Sequence, residues 1–251
     1  MAKIAWEGGA LLAPVPPVMV TCGDMESSNI ITVAWTGLIN THPPRLSIAI
    51  RPSRHSYAII KERGEFAVNL TPASLVKECD SCGIYTGAKV DKFEKTGLHR
   101  APATAVACPI IEECPLALEC KVLDIIPQGT HDLFLAEVVA VDVDESILDG
   151  QGRLCLDRAG LAAFAHGEYF ALGEKLGKFG CSVDKKGKGS TPQRRAAPPK
   201  TAVQKASMPK PPAPKPAQAQ ATEFKPHGGK KSASSEGKNP RGKHAGKAGK
   251  K

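Results

Sequence analysis

Between Asn29 and Tyr57 the hydrophobic and polar positions follow an order that predicts a strand, a loop, a second strand and the start of a helix. The run at 30–35 is apolar and rich in β-branched residues, which is typical of a buried strand. Pro43 and Pro44 cannot continue it, because each removes a backbone donor and fixes φ. Apolar residues then alternate with smaller ones and predict a second strand through Leu46, Ile48 and Ile50.

Similar patterns predict further strands and three short helices. The strands fall at 15–22, 66–70, 116–122 and 132–143, of which the last is the longest. The helices fall at 53–63, 74–82 and 91–96. Ser53 is the predicted N-cap of the first helix, and Gly64 ends it. About six strands result, which is enough to close a small antiparallel barrel, so the predicted fold class is mainly β with short flanking helices.

Three stretches lack a regular pattern. Residues 98–115 contain three prolines and are interpreted as a loop or an edge segment. Small and aromatic residues dominate 162–176, which we expect to pack against the barrel or a second subunit. Residues 1–13 form an N-terminal extension that covers either the barrel or a partner subunit.

The formal net charge of +9 conceals an abrupt division of the chain at Asp184. Residues 184–251 hold 18 Lys and Arg against 3 Asp and Glu, whereas residues 1–183 hold 16 against 22. Phe224 is the only aromatic residue of this basic tail, which has too little apolar surface to offset its ordering entropy and is predicted to be disordered. The tail either only solubilises the protein or contacts nucleic acid or another polyanion nonspecifically.

All eight cysteines lie in the acidic body, residues 1–183. Cys79 and Cys82 form a CxxC pair, and five residues separate each of Cys108, Cys114 and Cys120 from the next. A zinc or iron–sulfur site needs four converging thiolates and a second close pair is missing, so we predict no metal. A redox role for Cys79 and Cys82 stays open, although we expect buried, unreactive thiols.

Several familiar sequence signals are missing. No apolar stretch of about 18 residues can span a bilayer, and prolines interrupt the apolar N-terminal run, so neither a membrane span nor a signal peptide is predicted. Reduced thiols and a cytoplasmic location follow as the expectation. HExxH, GxSxG, GxGxxG and GxxxxGK[ST] motifs are missing too, and no convincing carboxylate pair is evident. No residue is therefore assigned a catalytic role, and any chemistry must come from a bound cofactor.

Two arginines and two serines cluster where the second strand meets the predicted helix. The segment contains Arg51, Ser53, Arg54 and Ser56. A helix N-terminus presents free N–H groups and the positive end of the macrodipole, and guanidinium and hydroxyl groups bind phosphate. The pattern favours a phosphate site, while a solvated face with a surface ion pair is the alternative. Trp35 and Thr36 supply a flat apolar wall and a polar group for a ring system.

These motifs resemble the flavin reductase-like family with the FMN-binding split-barrel fold, and flavoredoxins in particular. The similar segments are 29–37, 41–44, 51–57, 64–69, the triplet 91–93 and 166–173. The resemblance covers residues 1–183 and excludes the tail. It implies a six-stranded antiparallel split β-barrel that binds FMN noncovalently as a homodimer, with the flavin near the subunit boundary.

The resemblance also implies which other residues contact the flavin. These residues are Asn29, Thr32, Trp35, Thr36, Lys92, His131 and Phe164. The Lys92 ammonium would stabilise negative charge on the phosphate or on the reduced ring. From the residues alone, the simpler interpretation is that Lys92 is a surface lysine and that Trp35 and Phe164 are core aromatics, while His131 is a candidate polar group at a strand end. His55 and His166 are explained equally well by a helix surface and a subunit contact.

The expected function is that of an FMN-dependent oxidoreductase, flavoredoxin-like or flavin reductase-like, with NAD(P)H or a redox protein as the electron donor. A second hypothesis is a noncatalytic electron carrier that serves a protein partner. A third is a nucleic-acid-associated protein that acts through the basic tail, and a fourth is a metal-binding module.

Overall fold

The computed structural model describes residues 2–183, and within them the molecule is built around one antiparallel sheet. The predictions made for the basic tail, 184–251, lie outside the described residues. The strands, in chain order, are β1 (Val18–Gly23), β2 (Ser28–Val33), β3 (Thr36–Thr41), β4 (Pro44–Ile50), β5 (Glu65–Leu70), β6 (Arg100–Ala101), β7 (Ile110–Ile111), β8 (Leu116–Pro127), β9 (Asp132–Val143), β10 (Ala162–Ala165) and β11 (Glu168–Ala171).

Seven of these strands form the main sheet, in the order β2-β1-β5-β8-β9-β4-β3. The remaining four pair as two small hairpins, β6 with β7 and β10 with β11. β1 is buried along its whole length, because one of its faces contributes Val18 and Val20 to the main core while Met19 on the other face packs beneath the helices. The mainly β prediction is confirmed, with seven strands in the main sheet where about six were expected.

The additional strand is β3, which sequence periodicity did not reveal. It carries mostly exposed side chains and pairs with β4 at the edge of the sheet, so it lacks the alternation of a half-buried strand. Pro43 forms the corner as predicted, but Pro44 already belongs to β4. The strand predicted from the apolar run at 30–35 ends at Val33 in the structure, so Trp35 lies outside it.

Within the described residues three α-helices flank the sheet: α1 (His55–Arg63), α2 (Val76–Ile84) and α3 (Lys92–Thr96). The prediction of Ser53 as the N-cap of α1 is wrong, because the N-cap is Arg54, in extended conformation and without a side-chain cap bond. Gly64 ends α1 with φ of 69°, as predicted, because this left-handed conformation suits a residue without Cβ. Asp91 caps α3 by accepting hydrogen bonds from the backbone N–H groups of Phe93 and Glu94.

Two of the stretches that lack a regular pattern in the sequence form short hairpins in the structure. The segment 98–115 holds the short β6–β7 hairpin, and 162–176 holds the β10–β11 hairpin, whose turn is His166-Gly167 with positive φ at both residues. Val15 and Phe164 exchange backbone hydrogen bonds of 2.9 and 2.8 Å, which attach the segment between the N-terminal extension and β1 to β10. In the part of the chain that the structure describes, no helix has the length and apolar character needed to cross a bilayer.

Candidate functional site

All but one of the predicted cofactor-binding residues line two neighbouring cavities beside β2 and the start of α1. The first, of about 160 Å³, we call the seat pocket; its predicted lining residues are Asn29, Ser53, Arg54, Ser56 and Lys92. The second, of about 250 Å³, we call the aromatic pocket; its predicted lining residues are Thr32, Trp35, Arg51, Arg54, His131 and Phe164. Arg54 and Ile31 line both, so the two cavities adjoin. The placement of these side chains is a finding, and their binding roles stay predictions.

The seat pocket lies at the N-terminus of α1. Arg54 donates its backbone N–H to the carbonyl of Arg51 at 3.0 Å, which closes the turn between β4 and the helix. The N–H groups of His55 and Ser56 donate to no acceptor among residues 2–183. No Asp or Glu of the described chain lines the pocket. Free N–H groups, the helix dipole and two cationic side chains therefore favour an anion here.

Asn29 and Ser56 form the buried wall of this pocket. Asn29 leaves 5% of its surface exposed, and its Nδ2 donates to the Ser56 hydroxyl oxygen at 2.7 Å. The Cys22 thiol lies behind them, and burial raises its pKa to about 11, so it stays protonated at neutral pH. The wall is thus neutral, and the positive charge of the pocket comes from the arginine, the lysine and the helix.

Lys92 is buried, with 4% of its surface exposed, so its interpretation as a surface lysine is wrong. Its ammonium donates hydrogen bonds of 2.6 Å to the carbonyl oxygens of Ile30 and Cys82. Burial lowers the pKa of Lys92, since charge is costly away from water, and the nearby Arg54 charge lowers it further. Two of its three N–H bonds are used in joining β2 to α2, which leaves the third for the pocket.

The aromatic pocket combines apolar surfaces with one polar edge. Trp35 is 43% exposed, and Phe164 packs edge-to-face on Tyr169 with ring centroids 5.1 Å apart. At the other side Arg51 donates to His131 Nε2 at 3.4 Å. Burial, followed by the Arg51 and Arg54 charges, lowers the pKa of His131, so its imidazole is neutral and accepts at neutral pH. Such a cavity suits a flat ring system with polar atoms along one edge.

The two predicted threonines make structural contacts. Thr32 lines the aromatic pocket, yet its hydroxyl donates to the carbonyl oxygen of Cys79. Thr36 lines neither pocket: its hydroxyl donates to the carbonyl oxygen of Ser47 at 2.8 Å, within the β3–β4 pair. Thr36 lines a further cavity, which it shares with Trp35 but with none of the other predicted residues.

Several lining residues of the seat pocket were not predicted. They are Ile31, His55, Cys82, Gly83, Tyr85, Thr86 and Gly87. The Thr86-Gly87 dipeptide is a turn signal in the sequence, but nothing local relates that turn to Asn29. His166 lies apart from the seat pocket, in a neighbouring cavity lined also by the N-terminal extension.

Glu119 and Asp142 are two neighbouring acids outside the candidate site, and burial, followed by the nearby Glu119 carboxyl group, raises the pKa of Asp142. Glu119 is fully buried and accepts backbone N–H bonds from Thr104, Ala105 and Val106 at 2.7, 2.5 and 2.9 Å. Neither acid lines the seat or the aromatic pocket. The pair therefore anchors the loop at 104–106 and is not part of the candidate site.

The cysteines are buried for the most part, as predicted. All eight are free, and six of them are buried. Burial raises the pKa of Cys79, and it raises that of Cys82 to about 12, so both are thiols at neutral pH and poor nucleophiles. Within residues 2–183 no three His, Cys, Asp or Glu side chains converge in a way that could hold a metal ion.

Comparison with known proteins gives consistent matches. The family model described as the flavin reductase-like domain matches residues 11–173. The structure of flavoredoxin from Desulfovibrio vulgaris (Miyazaki F) superposes with a TM-score of 0.67 at 33% identity, over 72% of this chain and 100% of that one. An uncharacterized protein of Archaeoglobus fulgidus is 34% identical over 56% of this chain and 78% of its own. FMN reductase (NADH) RutF of Serratia proteamaculans is 25% identical, over 59% and 81% respectively.

Proposed function

Because the chain belongs to the flavin reductase-like family, we propose that it is an FMN-dependent oxidoreductase of the flavoredoxin type, which receives electrons from NAD(P)H or from a redox protein. The predicted FMN-binding split-barrel fold is confirmed by the match to flavoredoxin over that protein's full length. The observation that carries the proposal is the junction of the two pockets at Arg54. A cavity lined by two cationic side chains there opens beside a cavity with aromatic walls.

The described residues fit the chemistry of FMN. The free N–H groups of His55 and Ser56, the Arg54 guanidinium and the Lys92 ammonium would hold the phosphate monoester. Trp35 and Phe164 would flank the ring system, which supplies reversible one- and two-electron transfer when bound. Arg51 and neutral His131 offer a donor and an acceptor along the ring edge.

The binding proposal is tested by the visible absorption spectrum of the purified protein and by titration of the apoprotein with FMN. We expect the two absorption bands of an oxidised flavin and one FMN per chain. Well-folded protein that neither carries nor takes up FMN would contradict the proposal.

The identity of the electron donor requires a separate experiment. Rapid bleaching of the yellow protein by NADH or NADPH without oxygen supports a reductase, an activity that the name of the Serratia relative states. Bleaching only by a reduced ferredoxin-type protein supports the second candidate, a carrier between proteins.

We also propose that the protein is a homodimer. Large apolar side chains of the N-terminal extension and of β3 are exposed: Trp6 at 84%, Leu12 at 85% and Leu38 at 79%. Exposed apolar surface of this kind is typical of a subunit interface. Sedimentation equilibrium is expected to give twice the chain mass of 26.5 kDa. A monomer at micromolar concentration would contradict this.

The location and the tail add two smaller proposals. Eight cysteines without a disulfide favour the reducing cytoplasm. The basic tail is proposed to contact nucleic acid or another polyanion. Retention on DNA should then fall steeply with salt and disappear when residues 184–251 are deleted. Retention that survives the deletion would contradict a role for the tail.

A further inference from the structure

We infer that Gly87 is a positioning residue for the phosphate end of the flavin: the absence of a side chain at this position lets the turn after α2 pack directly on Asn29 and complete the seat pocket. The inference rests on the proposed FMN binding. It adds a steric requirement at a position that is not itself one of the predicted FMN ligands.

The contact between Gly87 and Asn29 leaves no room for a methyl group. A Cβ built on Gly87 would lie 2.1 Å from Asn29 Oδ1, 2.5 Å from its Cγ and 2.7 Å from its Nδ2. Carbon atoms do not approach nonbonded atoms this closely, so either the carboxamide or the turn would have to move. Both of them line the seat pocket.

The requirement for glycine here is one of space, not of backbone conformation. Gly87 does not have the positive φ that Gly64 and Gly97 have at the ends of α1 and α3. An alanine could therefore adopt the same backbone angles, and only the contact with Asn29 excludes it.

Neither partner in this contact is free to move. The Asn29 carboxamide donates to Ser56 at 2.7 Å, and its backbone lies in β2, paired with Cys22 of β1. The turn is closed by the Lys89 N–H, which donates to the Thr86 carbonyl at 3.2 Å. A side chain at position 87 would therefore break the Asn29–Ser56 bond or displace the wall made by Thr86, and either change disturbs the helix start where the phosphate would lie.

The test measures FMN and riboflavin affinity of the full-length apoprotein by flavin fluorescence, because riboflavin lacks only the phosphate. We expect Gly87→Ala to weaken FMN binding about tenfold or more, equivalent to about 1.4 kcal/mol, and to change riboflavin binding less than twofold. Gly150→Ala is the control, since a Cβ at Gly150 would have no atom within 4 Å. Unchanged FMN affinity, or equal losses for FMN and riboflavin, would overturn the inference.

A double variant isolates the contact and covers the case in which Gly87→Ala does not fold. Asn29→Ala removes the three atoms that would lie nearest to a Cβ at position 87. We expect Asn29→Ala/Gly87→Ala to fold and to bind FMN as tightly as Asn29→Ala alone, because the two changes act on one contact and are not additive. A double variant that binds FMN more weakly than Asn29→Ala contradicts the inference. If the wild-type apoprotein itself does not bind FMN, it is the proposed function that fails.

Discussion

Lys92 donates a 2.6 Å hydrogen bond to the carbonyl oxygen of Ile30, across 62 residues of sequence, and so joins α3 to β2 beside the seat pocket. A second bond of 2.6 Å reaches the carbonyl of Cys82 in α2. The lysine expected to contact the cofactor is thus also a structural crosslink between three elements. Its removal should affect folding as well as binding.

The first prediction concerns Lys92→Met. It leaves two carbonyls in a buried site without a donor, at a cost of about 1–3 kcal/mol each, so we expect the free energy of unfolding to fall by roughly 3 kcal/mol. FMN affinity should fall too, since a cation leaves the seat pocket. Urea unfolding and FMN titration measure the two effects, with Lys121→Met, an exposed lysine of β8, as the control. Wild-type stability would show that the two hydrogen bonds contribute nothing.

Arg54→Ala is expected to weaken the binding of FMN, which carries a phosphate, much more than the binding of riboflavin, which does not. A hydrogen bond to a charged group contributes about 1.5–3 kcal/mol, so FMN affinity should fall roughly 10- to 100-fold. Riboflavin affinity should change much less. Lys61→Ala removes an exposed cation from the same helix and is the matched control. Equal losses of FMN and riboflavin affinity would place Arg54 at the rings instead of the phosphate.

Arg51 and His131 lead to a prediction on pH. Burial and two guanidinium charges keep the pKa of His131 below its usual value of 6.5. The unfolded chain therefore takes up this proton first, and the contribution of neutral His131 to stability is lost as pH falls below 6.5. Arg51→Ala should raise the pKa of His131, which the pH titration of its imidazole NMR signals measures. A pKa that falls or stays unchanged would contradict the role of the Arg51 charge.

The carboxyl pair predicts that Asp142→Asn stabilises the protein at neutral pH. Burial and the neighbouring Glu119 carboxyl group raise the pKa of Asp142, so the contribution of Asp142 to stability is lost as pH rises through that raised pKa. Burial alone would raise the pKa of Glu119, but three backbone N–H donors hold that pKa below 4.5. The contribution of Glu119 to stability is therefore lost as pH falls. An asparagine at this position offers an amide donor to Glu119 and cannot ionise, and we expect a gain of about 1 kcal/mol at pH 7.

Urea unfolding at pH 5 and pH 7.5 measures this effect. The gain from Asp142→Asn should be larger at the higher pH, where the wild-type pair has more tendency to lose its proton. Asp124→Asn, at an exposed position of β8, is the control. An Asp142→Asn variant that is less stable than wild type at both pH values would mean that Glu119 does not accept a hydrogen bond from this position.

The local pattern of apolar and polar residues was sufficient to predict much of the fold. The strands β2, β4, β5 and β9 were identifiable because each buries residues that alternate or run together along the sequence. The end of α1 at Gly64 was identifiable from its capping chemistry, whereas Asp91, predicted as part of the third helix, is its N-cap. β3 was not identifiable, because the side chains of an exposed edge strand do not need to alternate between apolar and polar.

The sequence by itself determined the composition of the candidate site: the cations, hydroxyls and aromatic residues, and the family motifs that contain them. The tertiary structure decided which of these groups meet. Pairing in the order β2-β1-β5-β8-β9-β4-β3 brings Asn29 to Ser56, turns the Thr36 hydroxyl toward Ser47, and makes Gly87 a requirement of the seat pocket. The physical reason is that periodicity reports which face of an element is buried, whereas contact between distant segments depends on how the whole chain packs.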